Sequence, residues 1–528
     1  MKDRFPKTSS IQKRLPSQFA DQLGVKYASS VDQSHKKRNG QFFTPVEIAA
    51  FMASLSKFEG DSLRILDPGC GSGVLSCALV EKVVYSNTNL KYIELVGYET
   101  ERKLFSTAHQ SFEYLKEWVQ GNNISMNFKL YNADFVLHNA DAFKESRDLF
   151  SKEIEPFDIV ISNPPYFKLS INDKRTVVSK VVINGHPNIY AIFMALSAKM
   201  LKEKGELIFI TPRSYAAGSY FKQFRKYFFN LIDLQRVHLF VSRKDTFSRD
   251  KVLQETVIIK GTRNTKQERN TNVIISSSGG LKDLQDARVK IFSKRFIIDI
   301  HSDEKILYLP TSDYEGKIVQ IFKKWPGTLH KYNIKISTGP VVAFRSWDHI
   351  KNEYNDTDKM APLFWMHNVK KMILEWPVIK PNKGQYIAVT EKSKSILIPN
   401  KNYIFLRRFS SKDDKNRLIA APYFCNYINA EYIGVENKVN YIYRPNGHLD
   451  RNEVVGLCAI LNSSLFDNYF RIFNGNVNVS ATELREMTLP SLDIIKEIGD
   501  TILLSNDFSV ENVNSVLDKY FEPTIVHE

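Results

Sequence analysis

The sequence predicts an α/β protein whose first half is a doubly wound, mainly parallel sheet and whose second half is a mixed α+β domain. Three observations predict it. Short apolar strands alternate with helical stretches from about Leu63 to Lys260. A glycine-rich turn joins the first strand of that alternation to its first helix. Past a polar stretch the pattern changes to short β-rich segments, in a chain whose 528 residues exceed one hydrophobic core.

The elements follow in order. Residues 1–40 hold nine basic side chains against Asp3, Asp21 and Asp32, and read as a basic arm. Gln41-Phe-Phe-Thr-Pro45 precedes an amphipathic helix from Val46. Apolar runs place strands at Leu63–Leu66, Ile93–Tyr98, Phe128–Asn132, Phe157–Ile161, Gly205–Thr211 and Glu255–Lys260. Helices fit Val74–Val83, Glu101–Trp118 and Ile189–Lys202, the last with apolar residues at helical spacing. The polar stretch Gly261–Gly280 reads as a linker. The expected division is therefore an arm (1–40), a first domain (41–262), a linker (263–280) and a second domain (281–528). In the second domain, strands fit Tyr403–Phe409 and Tyr441–Tyr443, and helices return at Glu453–Leu461 and Ser464–Phe473.

Bulk composition narrows the function classes. Apolar residues make up 43% and aromatics 12%, enough to fill two cores and to exclude a wholly disordered chain. Basic residues number 73 against 58 acidic, a formal +15, which favours a polyanionic partner, nucleic acid before a membrane surface. The segment from Glu483 to Glu528 reverses the sign and reads as a packed helical face. Four cysteines with no C-x-x-C pair support neither a disulfide framework nor a zinc site, and no metal is expected. The sequence shows no apolar signal-peptide core and no apolar run approaching the ~20 residues of a membrane span, so a cytoplasmic protein without a membrane partner is expected.

Two segments carry the chemistry. In Ile65-Leu-Asp-Pro-Gly-Cys-Gly-Ser-Gly73, glycines at 69, 71 and 73 let the backbone approach a bound nucleoside. Asp67, ahead of them, can hold a cationic amino group. Glu99 ends the next strand, where a carboxylate accepts from ribose hydroxyls. Asp134 ends the third and can accept from a base amine, with Phe135 beside the ring; Asp141 offers the same local sequence. Singly, each acid is as well read as a helix N-cap. At the fourth strand end stands Asn163-Pro-Pro-Tyr166. Pro164 and Pro165 donate no backbone hydrogen bond. The Asn163 amide oxygen and the Pro164 carbonyl can both accept from one NH2 group, with Tyr166 as a flat stacking face.

With these residues the chain resembles the γ-class amino-methyltransferases of DNA, motif by motif from Gln41 to Lys260. The resemblance implies a Rossmann-like methyltransferase domain with S-adenosylmethionine as cofactor, followed by a target-recognition domain. Thr44 and Pro45 would close over the methionine end of the cofactor. Asp67, Gly69, Gly71 and Gly73 form its turn, Glu99 holds its ribose, and Asp134 with Phe135 its adenine. Asn163, Pro164, Pro165 and Tyr166 would act on the target amine, the N6 amine of a flipped adenine in duplex DNA. Phe247 would pack on the extruded base, with Phe240 competing for that role. The second half resembles the adenine modification methylases of the PstI/BsuBI kind, through Arg407–Lys412, Leu461–Arg471 and Asn474–Arg485. That likeness implies the modification part of a restriction–modification system, and leaves open a separately encoded endonuclease acting on the same site.

A planar NH2 also occurs on cytosine and on glutamine amides, and protein-glutamine methyltransferases share the Asn-Pro-Pro-Tyr motif. Lys401–Arg417 tips the reading to DNA: six basic residues stand among Tyr403, Phe405 and Phe409. Arg407, Arg408 and Lys412 are its candidate DNA contacts. A solvated charged strand is the competing reading of that segment. An RNA amino-methyltransferase and a catalytically silent DNA-specificity module are two further functions that these residues leave open.

Overall fold

The computed structural model describes residues 14–32, 34–35, 40–144, 155–185, 187–240, 256–264, 271–298, 303–354, 359–410, 414–473, 479 and 481–521. Two compact units divide the chain, Met1–Ala216 with Tyr220–Leu307 and Ala217–Ser219 with Tyr308–Glu528.

The first unit is built on strands β1 (Ser62–Asp67), β2 (Tyr92–Tyr98), β3 (Ser125–Tyr131), β4 (Phe157–Ser162), β5 (Leu201–Pro212), β6 (Ile232–Phe240), β7 (Thr256–Arg263), β8 (Asn272–Ser278) and β9 (Arg288–Ser293). They form one nine-stranded sheet in the order β3-β2-β1-β4-β5-β7-β6-β8-β9. β1 runs parallel to β2 on one side and to β4 on the other. Chain order thus reverses at β1, which opens a crevice at the carboxyl ends of β1 and β4. Apolar runs make these two strands because both of their faces are covered. β7 is antiparallel to β5 and β6 and closes the parallel part of the sheet.

Helices α1 (Pro16–Ser29), α2 (Val46–Ser54), α3 (Val74–Ser86), α4 (Arg102–Gln120), α5 (Ile189–Met200) and α6 (Lys222–Leu231) complete the unit. α4 buries Leu104, Ala108, Phe112, Leu115 and Val119, an apolar stripe at helical spacing. α5 is apolar all round, and almost every residue of it is buried. Among the described residues no helix is long and apolar enough to cross a membrane.

Two sequence expectations need correction. Part of the basic arm is α1, which packs on the sheet helices. The Ser17 hydroxyl donates to Glu81 at 2.9 Å, and Phe19 stacks on Tyr114 with centroids 4.4 Å apart. The linker at 263–280 contains β8, whose Val273 and Ile275 are buried beside β6. Its polar flanks masked a three-residue apolar run, and the boundary between units falls at Leu307 instead.

The second unit has a four-stranded antiparallel sheet, β10-β20-β17-β18, of Lys335–Thr338, Val439–Tyr443, Tyr403–Arg407 and Ala420–Tyr423. A five-stranded sheet, β11-β15-β12-β19-β16, joins Ile350–Lys351, Tyr386–Ala388, Met360–Phe364, Tyr432–Val435 and Leu397–Pro399. β13 (Val369–Lys370) and β14 (Ile373–Leu374) pair separately. Helices α7 (Asp313–Lys324), α8 (Arg451–Asn462), α9 (Ser464–Phe473), α10 (Leu492–Ser505) and α11 (Val510–Tyr520) accompany them.

Candidate active site

A cavity of about 300 Å³ lies at the carboxyl ends of β1, β2 and β4. Most of its wall comes from five places, and Arg175 and Phe193 add to it. The turn after β1 gives Pro68 to Ser72, β2 gives Glu99, β3 gives Asp134 and Phe135, β4 gives Asn163 and Pro165, and the segment before α2 gives Gln41 to Thr44.

The turn after β1 is shaped by two left-handed residues, Gly71 at φ 57° and Gly73 at φ 87°. A Cβ on Gly73 would lie 2.7 Å from Phe112, so this glycine serves helix packing and lies outside the cavity wall. Gly69 faces the cavity. A Cβ there would stand 3.5 Å from Phe193 and begin to fill the space.

Asp67 differs from its expected place. It is wholly buried and does not line the cavity, because its side chain turns towards α3, where the Ser76 hydroxyl donates to Oδ2 at 2.7 Å. Its Oδ1 is buried without a hydrogen-bond partner. Burial pushes its pKa up to about 7. Glu99 is half-buried, lines the cavity and accepts from the Glu101 amide at 2.8 Å. Burial raises it too to about 7, against backbone hydrogen bonds from Glu101, Thr100 and Gly71.

Asp134 caps the one-turn helix Phe135–His138, accepting from the Leu137 amide at 3.0 Å. Its other oxygen lies 3.5 Å from Arg175 Nη1. The cap and the cavity role thus coexist in one residue. Asp141 pairs with Lys144 at 2.7 Å and borders a separate hollow beside Tyr131 and Arg64.

Asn163 has its amide hydrogens committed. Nδ2 donates to the Phe42 carbonyl at 2.9 Å and to Thr44 Oγ1 at 3.0 Å. Oδ1 is therefore the acceptor end of the amide, and the Tyr166 hydroxyl donates to it at 2.6 Å, which leaves its second lone pair. That hydroxyl is also 3.1 Å from the Ile210 carbonyl. The Tyr166 ring is half-buried beside Phe42, with centroids 5.2 Å apart. Neither Pro164 nor Tyr166 lines the cavity, and Pro45 starts α2 rather than covering it.

Other expectations resolve unevenly. Phe240 is core, 2% exposed and packed on His238, which removes it as a base-packing aromatic. Phe247 and Lys412 lie outside the described residues. Within Lys401–Arg417, residues Tyr403–Arg407 form β17 rather than an open basic strand, with Tyr403 and Phe405 buried in it. Arg407 donates to the Val369 carbonyl at 2.7 Å, Arg408 to the Asn437 carbonyl at 3.0 Å, and Arg417 is fully buried. Their positive charge was legible, but their backbone partners lie far away in the sequence.

Sequence reasoning missed Phe193, Arg175 and Phe42 as wall residues. Phe193 sits in a helix that is apolar on every side, so no periodicity sets it apart. Arg175 follows the reaction motif in a stretch without a strong pattern. It is gripped by Asp173 through Nε at 2.9 Å and Nη2 at 2.7 Å.

Residues 44–247 match the family model described as Eco57I restriction-modification methylase. The chain is 32% identical to the Type II methyltransferase M.BsuBI of Bacillus subtilis, over 94% of this chain and 95% of that one. It is 29% identical to the Type II methyltransferase M.PstI of Providencia stuartii, over 90% of this chain and 91% of that one. Among solved structures, a cryoEM structure of a DrdV–DNA complex has a TM-score of 0.47 and 13% identity, covering 92% of this chain and 59% of that chain.

Proposed function

The chain belongs to the type II DNA methyltransferases of restriction–modification systems, and on that premise we propose that it methylates the N6 amine of an adenine swung out of duplex DNA, with S-adenosylmethionine as donor. The observation that carries this reading is the fixed Asn163 amide. Both of its donors are used by the segment before α2, and Oδ1, which accepts from the Tyr166 hydroxyl, keeps a second lone pair for an incoming NH2 at the cavity edge. Such an acceptor, with the Pro164 carbonyl beside it in sequence, aligns an amine lone pair for attack. The rate gain then comes from alignment more than from acid–base groups.

The cavity suits the donor molecule. Glu99 is a half-buried acceptor for ribose hydroxyls, and Asp134 with Phe135 and Phe193 offers an acceptor beside aromatic faces for its adenine. Bound there, S-adenosylmethionine supplies a methyl group on a positively charged sulfur. Extruding the base costs a few kcal/mol. Tyr166 offsets part of that if it stacks on the ring, at about 1–3 kcal/mol per base. The second unit reads the target sequence in this proposal, which leaves open a separately encoded endonuclease acting on the same site.

The test is to express the protein in cells lacking other methylases, digest their DNA to nucleosides and map the modified sites by methylation-sensitive sequencing. N6-methyladenine at one recurring sequence is expected. N4-methylcytosine, or unmodified DNA from a well-folded protein, would overturn the adenine reading.

A further inference from the structure

The second unit holds two braced loops whose apolar tips stand in solvent. One runs from Val342 to Ile350 and consists of two successive 3-10 turns, Ala343–Arg345 and Trp347–His349. Phe344 is 71% exposed at the first and Trp347 50% at the second. The other runs from Trp376 to Tyr386 and carries Ile379, 90% exposed. β11 pairs antiparallel with β15, which ties the end of the first loop to the end of the second. Tyr354, also exposed, lies against Tyr386 with ring centroids 5.4 Å apart.

The scaffold behind these tips is rigid. Buried Gln385 accepts from the Val378 amide and donates to the Val378 carbonyl, each at 3.0 Å, immediately before Ile379. Trp365, wholly buried, donates from Nε1 to the Gly384 carbonyl at 2.7 Å. A Cβ on Gly384 would meet Ile350 Cγ2 at 2.5 Å, so the two loop ends touch through this residue. Fixed loops presenting large apolar side chains to water lose hydrophobic stabilisation unless a partner covers them. The balance of charge points to that partner: the Arg345 guanidinium lies 5.3 Å from the Phe344 ring centre, and with exposed Lys351 beside the first loop and Lys380 on the second it outweighs the exposed acids Asp348 and Glu353.

We propose that these two loops are the surface with which the second unit grips duplex DNA, Phe344, Trp347 and Ile379 packing on bases or sugars while Arg345, Lys351 and Lys380 meet phosphates. Flat aromatic faces beside basic groups are the chemistry that engages stacked bases along a polyanionic backbone. This rests on the reading of the second unit as the sequence-recognising part. It moves the contact away from Arg407 and Arg408, which brace the β17 region through backbone carbonyls.

Hydrogen exchange of the full-length protein, alone and with a duplex containing the mapped methylation site, tests it. Protection of 342–354 and 376–386 on DNA binding is expected. The double variant F344A/W347A should lose at least tenfold in affinity for that duplex while binding S-adenosylmethionine unchanged. K380Q should flatten the salt dependence by about one unit of slope for a lost phosphate contact. Protection elsewhere in the second unit, with full affinity in F344A/W347A, overturns this surface and leaves the recognition reading standing. Protection confined to the first unit overturns both.

Discussion

An amide side chain presents a donor or an acceptor according to which end its neighbours claim, and at Asn163 the neighbours are Phe42 and Thr44. Thr44 was expected at the cofactor. It does line the cavity, and its hydroxyl also accepts from the Asn163 amide at 3.0 Å. Thr44→Val should therefore lower kcat about tenfold, the worth of about one hydrogen bond, with little change in KM for DNA. Thr44→Ser should restore it; an equal loss in both variants would point to packing instead. Asn163→Ala should abolish methylation while donor affinity stays within about tenfold, as calorimetry would show. The cavity carboxyls add a pH dependence. Glu99 titrates at about 7, raised from 4.5 by burial, so the empty site is most stable when it is protonated. That stability falls as pH rises from about 4.5 through about 7. Ribose hydroxyls favour the carboxylate, so donor affinity should rise over the same range and binding at pH 6 should release a proton. Calorimetry in two buffers of different ionisation enthalpy measures the release. A release that is absent, or unchanged in Glu99→Gln, contradicts the ribose role.

Elements were legible where one local rule fixed them. β1, its turn and α3 follow from an apolar run, three glycines and a second apolar run, and the helix starts at Val74 as expected. The turn can be tested as an element. Gly73→Ala forces φ 87° on a residue with a Cβ and drives that carbon into Phe112. It should cost about 1–3 kcal/mol of stability, read by chemical denaturation, before any loss of chemistry. A stability within error of the parent would refute the packing role. Where the outcome depended on partners distant in sequence, the residues alone misled. The basic segment around Arg407 supplies β17, which pairs with β18 and β20, and the guanidinium groups of Arg407 and Arg408 donate to the distant carbonyls of Val369 and Asn437. The segment from Leu461 to Arg471 was read as a family likeness, and its conspicuous polar residues latch helices to strands. Asn462 exchanges hydrogen bonds with the Ala420 backbone, and Asp467 accepts from the amides of Arg417 and Leu418. Of the site, the strand-end acids and the reaction motif were legible, because each ends an apolar run. Phe193 was not, since nothing in a wholly apolar helix marks which side chains face the cavity.

At the scale of the molecule, the position of the boundary decides which fragment can stand alone. A cut after residue 262, where the composition changes, ends inside β7 and removes β8 and β9. β6 would then expose the edge from Arg236 to Phe240, which pairs with β8 in the whole chain. Buried His238 would also lose Ser276 and Ser278, which contact its two ring nitrogens at 2.9 and 3.1 Å. A cut after Leu307 keeps the nine-stranded sheet. Residues 1–307 should therefore melt cooperatively and bind S-adenosylmethionine, whereas residues 1–262 should aggregate or melt at least 10 °C lower, about 3 kcal/mol or more for a domain of this size. Circular dichroism and calorimetry on the two fragments decide this. The longer fragment then addresses the division of labour. If the second unit reads the sequence, residues 1–307 should bind the mapped duplex and a scrambled duplex alike and methylate neither selectively. Non-specific attraction of basic residues to phosphates would affect both duplexes equally, so the ratio between duplexes is the quantity to measure, at one fixed salt concentration. A fragment of residues 1–307 that still methylates one sequence selectively would place recognition in the first unit, whatever the second unit touches.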